Sequence, residues 1–222
     1  MRGPRSGKWS RCEKHRALQS ILLTCATVTL VRVVDLVRRT VVLVACVVCL
    51  ANLVYAADTL WVDEVKLGVL AHDIRLLGLG RPGETGADVN VEVLFHSPAF
   101  FRVLGSPRPH LGGSLNTAGQ TNYGYGGLTW SGRPWRSLLK LPDALFIAGS
   151  LGGAIHDGHL NTAPPGRKRL GSRLLFRESV EFGYQLTRGL NVSVMFDHLS
   201  NAGLSTYNQS LNDLGVRVGF TF

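Results

Sequence analysis

Beyond residue 57 the chain has no cysteine and no uninterrupted apolar run of 18 residues. Its four cysteines, Cys12, Cys25, Cys46 and Cys49, all come earlier. The first absence excludes a disulfide scaffold, and the second excludes a membrane-spanning helix in that part of the chain. Charge of one sign is scarce there as well. Of the 24 basic and 15 acidic residues, nine and two precede residue 57, which leaves 15 and 13 after it. The overall net charge of +9 thus falls to +2 in the later part, too little to argue for a nucleic-acid partner.

The early residues read as a leader. Arg38-Arg39 precede an apolar run from Val41 to Val54, and Val54-Tyr55-Ala56 stands before Ala57-Asp58. That is the order of a secretory signal peptide: a basic start, a short apolar stretch and a small-residue cleavage site. The 14-residue run is too short to span a bilayer comfortably, so a signal peptide is expected rather than an uncleaved anchor. The chain divides into a leader over 1–56 and a mature domain over 57–222. Residues 1–37, with another apolar stretch from Ile21 to Val31, fit either a start of translation further downstream or an unusually long leader. Leu43-Val44-Ala45-Cys46 is lipobox-like, but only Thr40 to Val42 separate it from the arginines.

What the mature part does have is alternation. From Thr59 onward apolar and polar residues follow a period of two, broken by turn residues. Strands are predicted near 61–73, 88–96, 109–118, 121–130, 143–154, 173–186, 190–200 and 212–222. In the sixth, Leu174, Phe176, Val180, Phe182, Tyr184 and Leu186 oppose Arg173, Arg177, Ser179, Glu181, Gln185 and Thr187. In the last, Leu214, Val216, Val218, Phe220 and Phe222 oppose Arg217 and Thr221. In the second, Val89, Val91, Val93 and Phe95 oppose Asn90, Glu92 and His96. A charged face suits a hydrated lumen better than a dry soluble core. A soluble sandwich or lipocalin-like barrel would turn the apolar face inward. The leader, the glycine-rich strands and the final aromatic favour an all-β fold, an eight-stranded antiparallel transmembrane β-barrel. A barrel also satisfies every backbone hydrogen bond in a chain without disulfides. Eight strands are too narrow for a general pore, so transport is not expected.

The seventh strand carries the candidate chemistry. Leu190, Val192, Val194, Phe196, His198 and Ser200 share a parity, so His198 and Ser200 face the lipid with the apolar residues. A polar pair there is costly unless it has a function; the alternative is a strand that ends at Phe196, with both residues in a wet loop. Side chains two apart on one face can meet, and a histidine can take a serine's proton to make a nucleophile toward an ester.

His198-Leu199-Ser200-Asn201-Ala202-Gly203-Leu204, then Asn208, then a C-terminal strand, resembles the lipid A 3-O-deacylases of Gram-negative outer membranes (PagL-type), a family of outer-membrane acyl hydrolases. The specific match covers about 25 residues, and the barrel pattern extends it to the mature domain. The resemblance implies an outer-membrane serine esterase with Ser200 as nucleophile and His198 as general base. It implies that Asn201, Gly203 and Asn208 shape the site or stabilise the oxyanion. Known members carry a glutamate fourteen residues after the histidine, where this chain has Asn212. By parity Asn212 shares the lipid-facing side and could orient His198, whereas Asp213 should point into the lumen. A tight turn at Thr187-Arg188-Gly189 would pair residues whose numbers sum to 376 or 378, placing Glu178 across from His198 or Ser200. Glu178 is then a substitute acid, a support for His198, or a solvated rim residue.

The remaining residues offer less. His72, His96, His110, His156 and His159 are scattered without ligand spacing, so neither a metal nor another cofactor is expected. Arg167-Lys168-Arg169 could engage lipid phosphates or simply be solvated. The expected partners are lipopolysaccharide (lipid A) as substrate, outer-membrane lipids and the barrel assembly machinery that reads a terminal Phe, with a homodimer left open. With a periplasmic N-terminus the seventh strand ends at the outer leaflet, where lipopolysaccharide lies. The alternatives to a lipid A esterase are a non-catalytic barrel with a degraded triad and an esterase for another membrane lipid.

Overall fold

The computed structural model describes residues 61–75, 83–134 and 144–222; the leader and its expected signal peptide lie outside them. Eight strands follow one another: β1 (Val62–Ala71), β2 (Ala87–Phe95), β3 (Arg108–Asn116), β4 (Tyr123–Gly132), β5 (Leu145–His156), β6 (Leu174–Thr187), β7 (Leu190–Ser200) and β8 (Leu211–Thr221). Each pairs antiparallel with the next, and β8 returns to β1 with Glu64 opposite Thr221 and Ala71 opposite Leu214. The sheet is a closed barrel, and each strand begins and ends within two residues of its expected position. One element was not expected, a short 3-10 helix at Ala99–Leu104 between β2 and β3. Its carbonyl at Leu104 accepts the Trp130 indole N–H at 2.7 Å.

Alternation explains both faces. Along β6, Leu175, Arg177, Ser179 and Glu181 are buried, while Leu174, Phe176, Val180 and Phe182 are exposed on the outside. Apolar side chains turned outward around a closed barrel belong in hydrocarbon. The lumen departs from the expectation of a hydrated channel, because charged side chains fill it. Lys66 donates to Glu181 at 2.8 Å, Arg217 pairs with Glu92 at 3.1 Å and with Glu181, and Arg177 pairs with Asp197 at 2.9 Å. All six are buried. In an interior this narrow, long side chains from opposite walls meet, and burial is tolerable only because each charge has a partner. His96 also departs from expectation. It lies past the end of β2, exposed beside Asp63 at 3.4 Å, rather than in the lumen.

Candidate active site on the outer wall

The register of three strands assembles the site. A bulge between Gln185 and Thr187 sets the pairing of β6 with β7, so that Glu178 lies opposite His198 and Phe176 opposite Ser200. On the other side β8 places Asn212 opposite His198. Glu178, His198 and Asn212 therefore form one row across β6, β7 and β8, with Ser200 one outward step along β7. His198 and Ser200 are half-buried on the outer face, and Glu178 is exposed.

His198 Nδ1 donates to Asn212 Oδ1 at 2.5 Å. An amide oxygen can only accept, so this bond places a ring proton on Nδ1 and leaves Nε2 as the nitrogen not engaged by Asn212. Asn212 is fully buried although it has the outward parity, because the chain leaving β1 packs beside it: the Ile74 N–H donates to the Asn212 carbonyl at 2.7 Å. Ser200 Oγ accepts the Ala202 N–H at 3.4 Å and makes no hydrogen bond to His198 in this state. Among the described residues Glu178 makes no hydrogen bond or ion pair, so it neighbours His198 in register without being bonded to it.

Beyond Ser200 the chain turns sharply. Ala202 and Gly203 both have left-handed backbones (φ 53° and 77°), and the Leu204 N–H closes the turn on the Asn201 carbonyl at 3.0 Å. Asn201 is buried and holds this turn. Its side-chain amide donates to the Leu170 and Tyr207 carbonyls at 2.8 and 2.6 Å, and its Oδ1 accepts the Gly203 N–H at 3.0 Å. The Asn201 N–H donates to Asn208 Oδ1 at 3.0 Å. That bond fixes the Asn208 amide, because only its oxygen can accept, and among the described residues Nδ2 has no protein partner.

Two clusters escaped the sequence reading. Inside the wall, next to His198 and Asn212 in the chain, Asp197 and Asp213 both accept from the Tyr123 hydroxyl, at 3.2 and 2.7 Å. The Arg177 guanidinium, bonded to Asp197, sits 3.7 Å over the Tyr125 ring. The inward parity of these residues was the available signal. The second cluster surrounds His72, just past β1. Its Nδ1 lies 3.0 Å from Asp88 and its Nε2 3.2 Å from Glu84, with Asp213 at 3.6 Å. His72, Asp88 and Asp213 bring ligand-type atoms within 4.8 Å of one another, which spacing along the chain does not reveal. Ionised carboxylates only accept, so with both bonds in place both ring nitrogens of His72 donate. Burial works against that charge, but the bonds to Asp88 and Glu84 and the nearby Asp213 outweigh it and push the His72 pKa up to about 10. Burial likewise opposes ionised Glu84, yet His72 and the N–H groups of Lys168 and Thr121 hold its pKa down at about 2.

A closed eight-stranded barrel with an apolar outer belt and a Ser–His–Asn set on its outer rim defines an integral protein of the Gram-negative outer membrane. The family follows from sequence. The chain belongs to the lipid A 3-O-deacylase (PagL) family, whose model matches residues 86–221, more than half of its length. It is similar in structure to the outer membrane enzyme PagL, at 17% identity and a TM-score of 0.51, with 72% of this chain and 99% of that one covered. The N-terminal β-barrel domain of Pseudomonas aeruginosa OprF also matches, at 12% identity and a TM-score of 0.44, with 72% and 98% covered. A comparison with curated proteins finds no match.

Proposed function

We propose that this barrel is a serine esterase that removes the 3-O-linked acyl chain of lipid A. The observation that carries this reading is the bond from His198 Nδ1 to Asn212 Oδ1, with Ser200 on the same lipid-facing column. His198 Nε2 takes the proton from Ser200 Oγ as that oxygen attacks the ester carbonyl carbon. Asn208 Nδ2, oriented by its bond from the Asn201 N–H, donates to the oxyanion. The carbon–oxygen bond to the sugar then breaks, and His198 returns its proton to the leaving alkoxide. Water, deprotonated by the same Nε2, hydrolyses the acyl-serine and releases a free fatty acid. No cofactor enters these steps. An open apolar groove of about 720 Å³, lined by Phe182, Tyr184, Val192, Val194, Val216 and Val218, continues down the same wall and suits an acyl chain.

Asn212 supplies the orienting bond of a triad acid without its charge, so Glu178, next in the row, is the carboxylate available to stabilise the imidazolium. The test is mass spectrometry of lipid A from Gram-negative cells expressing the wild type or Ser200→Ala. Loss of the mass of one ester-linked acyl chain with the wild type alone supports the reading. Identical spectra with folded barrels in both strains would favour a structural role.

A further inference from the structure

The basic run Arg167-Lys168-Arg169 divides once folded. Lys168 is buried and paired with Asp73. Arg167 lies 3.3 Å from Glu84 and donates to the Gly119 carbonyl at 2.9 Å. Arg169 is different: among the described residues no carboxylate pairs with it, and its guanidinium lies 4.3 Å over the ring of Tyr207.

The backbone around Arg169 is fixed to the active-site loop. The Arg169 N–H donates to Gln209 Oε1 at 2.7 Å, and the Gln209 N–H donates to the Arg169 carbonyl at 3.1 Å. The Asn201 amide, one residue from Ser200, bonds the carbonyls of Leu170 and Tyr207, the immediate neighbour and the stacking partner of Arg169. Gly171 allows this approach: its φ is +77°, and a Cβ there would fall 1.8 Å from the Tyr207 carbonyl oxygen. The segment around residues 169–171 and the loop after Ser200 are thus locked together at backbone level.

We propose that Arg169, held over the Tyr207 ring, is a phosphate-binding subsite that reads a phosphate on the same glycolipid whose ester Ser200 attacks. The inference rests on the deacylase reading. A guanidinium has five donors in a planar fork that matches a phosphate in two-point contact, and stacking on an aromatic ring leaves that fork free. Its orientation is set before substrate arrives, so little side-chain freedom is lost on binding. Because Asn201 joins the subsite to the nucleophile, a phosphate held there positions the scissile ester relative to Ser200. The subsite selects a phosphorylated glycolipid over other acyl esters.

The test compares phosphorylated and enzymatically dephosphorylated lipid A in neutral detergent micelles, with the full barrel as wild type, Arg169→Gln, Arg169→Lys and Tyr207→Leu. The wild type should prefer the phosphorylated substrate, and Arg169→Gln should cut that preference in kcat/KM by about tenfold or more, chiefly through KM. Arg169→Lys should restore part of it, and Tyr207→Leu should lose part of it. An unchanged preference in Arg169→Gln overturns the proposal. So does an effect confined to anionic vesicles and absent in neutral micelles, which would mean attraction to the lipid surface. The same comparison read as binding, by Trp fluorescence in a Ser200→Ala background, separates the two ideas. If no substrate is turned over by any protein but Arg169→Gln still abolishes discrimination in binding, the esterase reading fails and the phosphate subsite stands.

Discussion

Two histidines at the same end of the barrel have opposite surroundings. His72 is buried and gives both ring nitrogens to carboxylates, which favour its charged form. His198 is half-buried, gives one nitrogen to a neutral amide and has no partner on the other among the described residues. The same side chain is a clamp in one place and a candidate base in the other. The charge and number of its partners decide which. A carboxylate on each nitrogen removes the lone pair on which proton transfer depends, whereas a single amide fixes the tautomer and leaves it available.

The sharpest break of this comparison is to delete each ring in turn. His198→Ala should lower kcat/KM for the phosphorylated substrate by about 10⁴-fold and leave the urea unfolding midpoint in detergent nearly unchanged. His72→Leu should do the reverse. It removes the cation shared by the buried carboxylates of Asp88, Glu84 and Asp213 and should cost about 3–5 kcal/mol of unfolding free energy. The pH dependence carries the same signature. The His72 pKa is raised from 6.5 to about 10, so its stabilisation is complete below about 6.5 and is lost as pH rises through about 10. The Glu84 pKa is depressed from 4.5 to about 2, so its contribution is present above about 4.5 and is lost as pH falls through about 2. The stability gap between wild type and His72→Leu should therefore be widest between about pH 4.5 and 6.5 and close toward pH 10. A gap that stayed constant to pH 11 would remove the imidazolium from the account.

Making His198 more like His72 is the next test. Asn212→Glu gives Nδ1 a charged partner while Nε2 stays free, so the imidazolium formed during the reaction gains stabilisation. Loss of a triad carboxylate is costly mostly when the tautomer goes wrong, and here the amide oxygen already sets it. The gain in kcat should accordingly be smaller, about tenfold to a hundredfold. An unchanged kcat would mean that Asn212 does not act through His198.

The contrast between the two histidines also marks what could be read from the chain alone. Period-two alternation is local, so the strands, the closed sheet and the outward parity of His198 and Ser200 were legible from residues such as Val192, Val194 and Phe196. The short Thr187–Leu190 turn kept the register of β6 against β7 within reach, and the bulge at Gln185/Thr187 selects the pairing that sums to 376. The His72 cluster was not legible. Asp88 and Glu84 follow His72 closely, but Asp213 arrives only when β8 closes on β1. The difference between Lys168 and Arg169 was hidden for the same reason, since Asp73 and Tyr207 reach them from other loops. Nor could parity reveal that Asn212 is buried, because the cover comes from Ile74 beyond the end of β1.

The smallest effect belongs to Glu178, the carboxylate that stands opposite His198 in register. Cross-strand neighbours have Cβ atoms about 5 Å apart, close enough for its charge to favour the imidazolium. Exposure weakens that influence, because water and salt screen a rim charge far more than a buried one. Glu178→Gln should therefore lower kcat only about threefold to tenfold, leave KM alone, and do so more at low ionic strength than at high. The size of the loss should also depend on residue 212. With Asn212 in place Glu178 is the carboxylate beside His198 in its row, whereas in the Asn212→Glu background a second charge makes it redundant, and the double variant should match Asn212→Glu. Equal losses in both backgrounds would mean that Glu178 acts on something other than His198, and no loss in either would leave it a solvated residue of the rim.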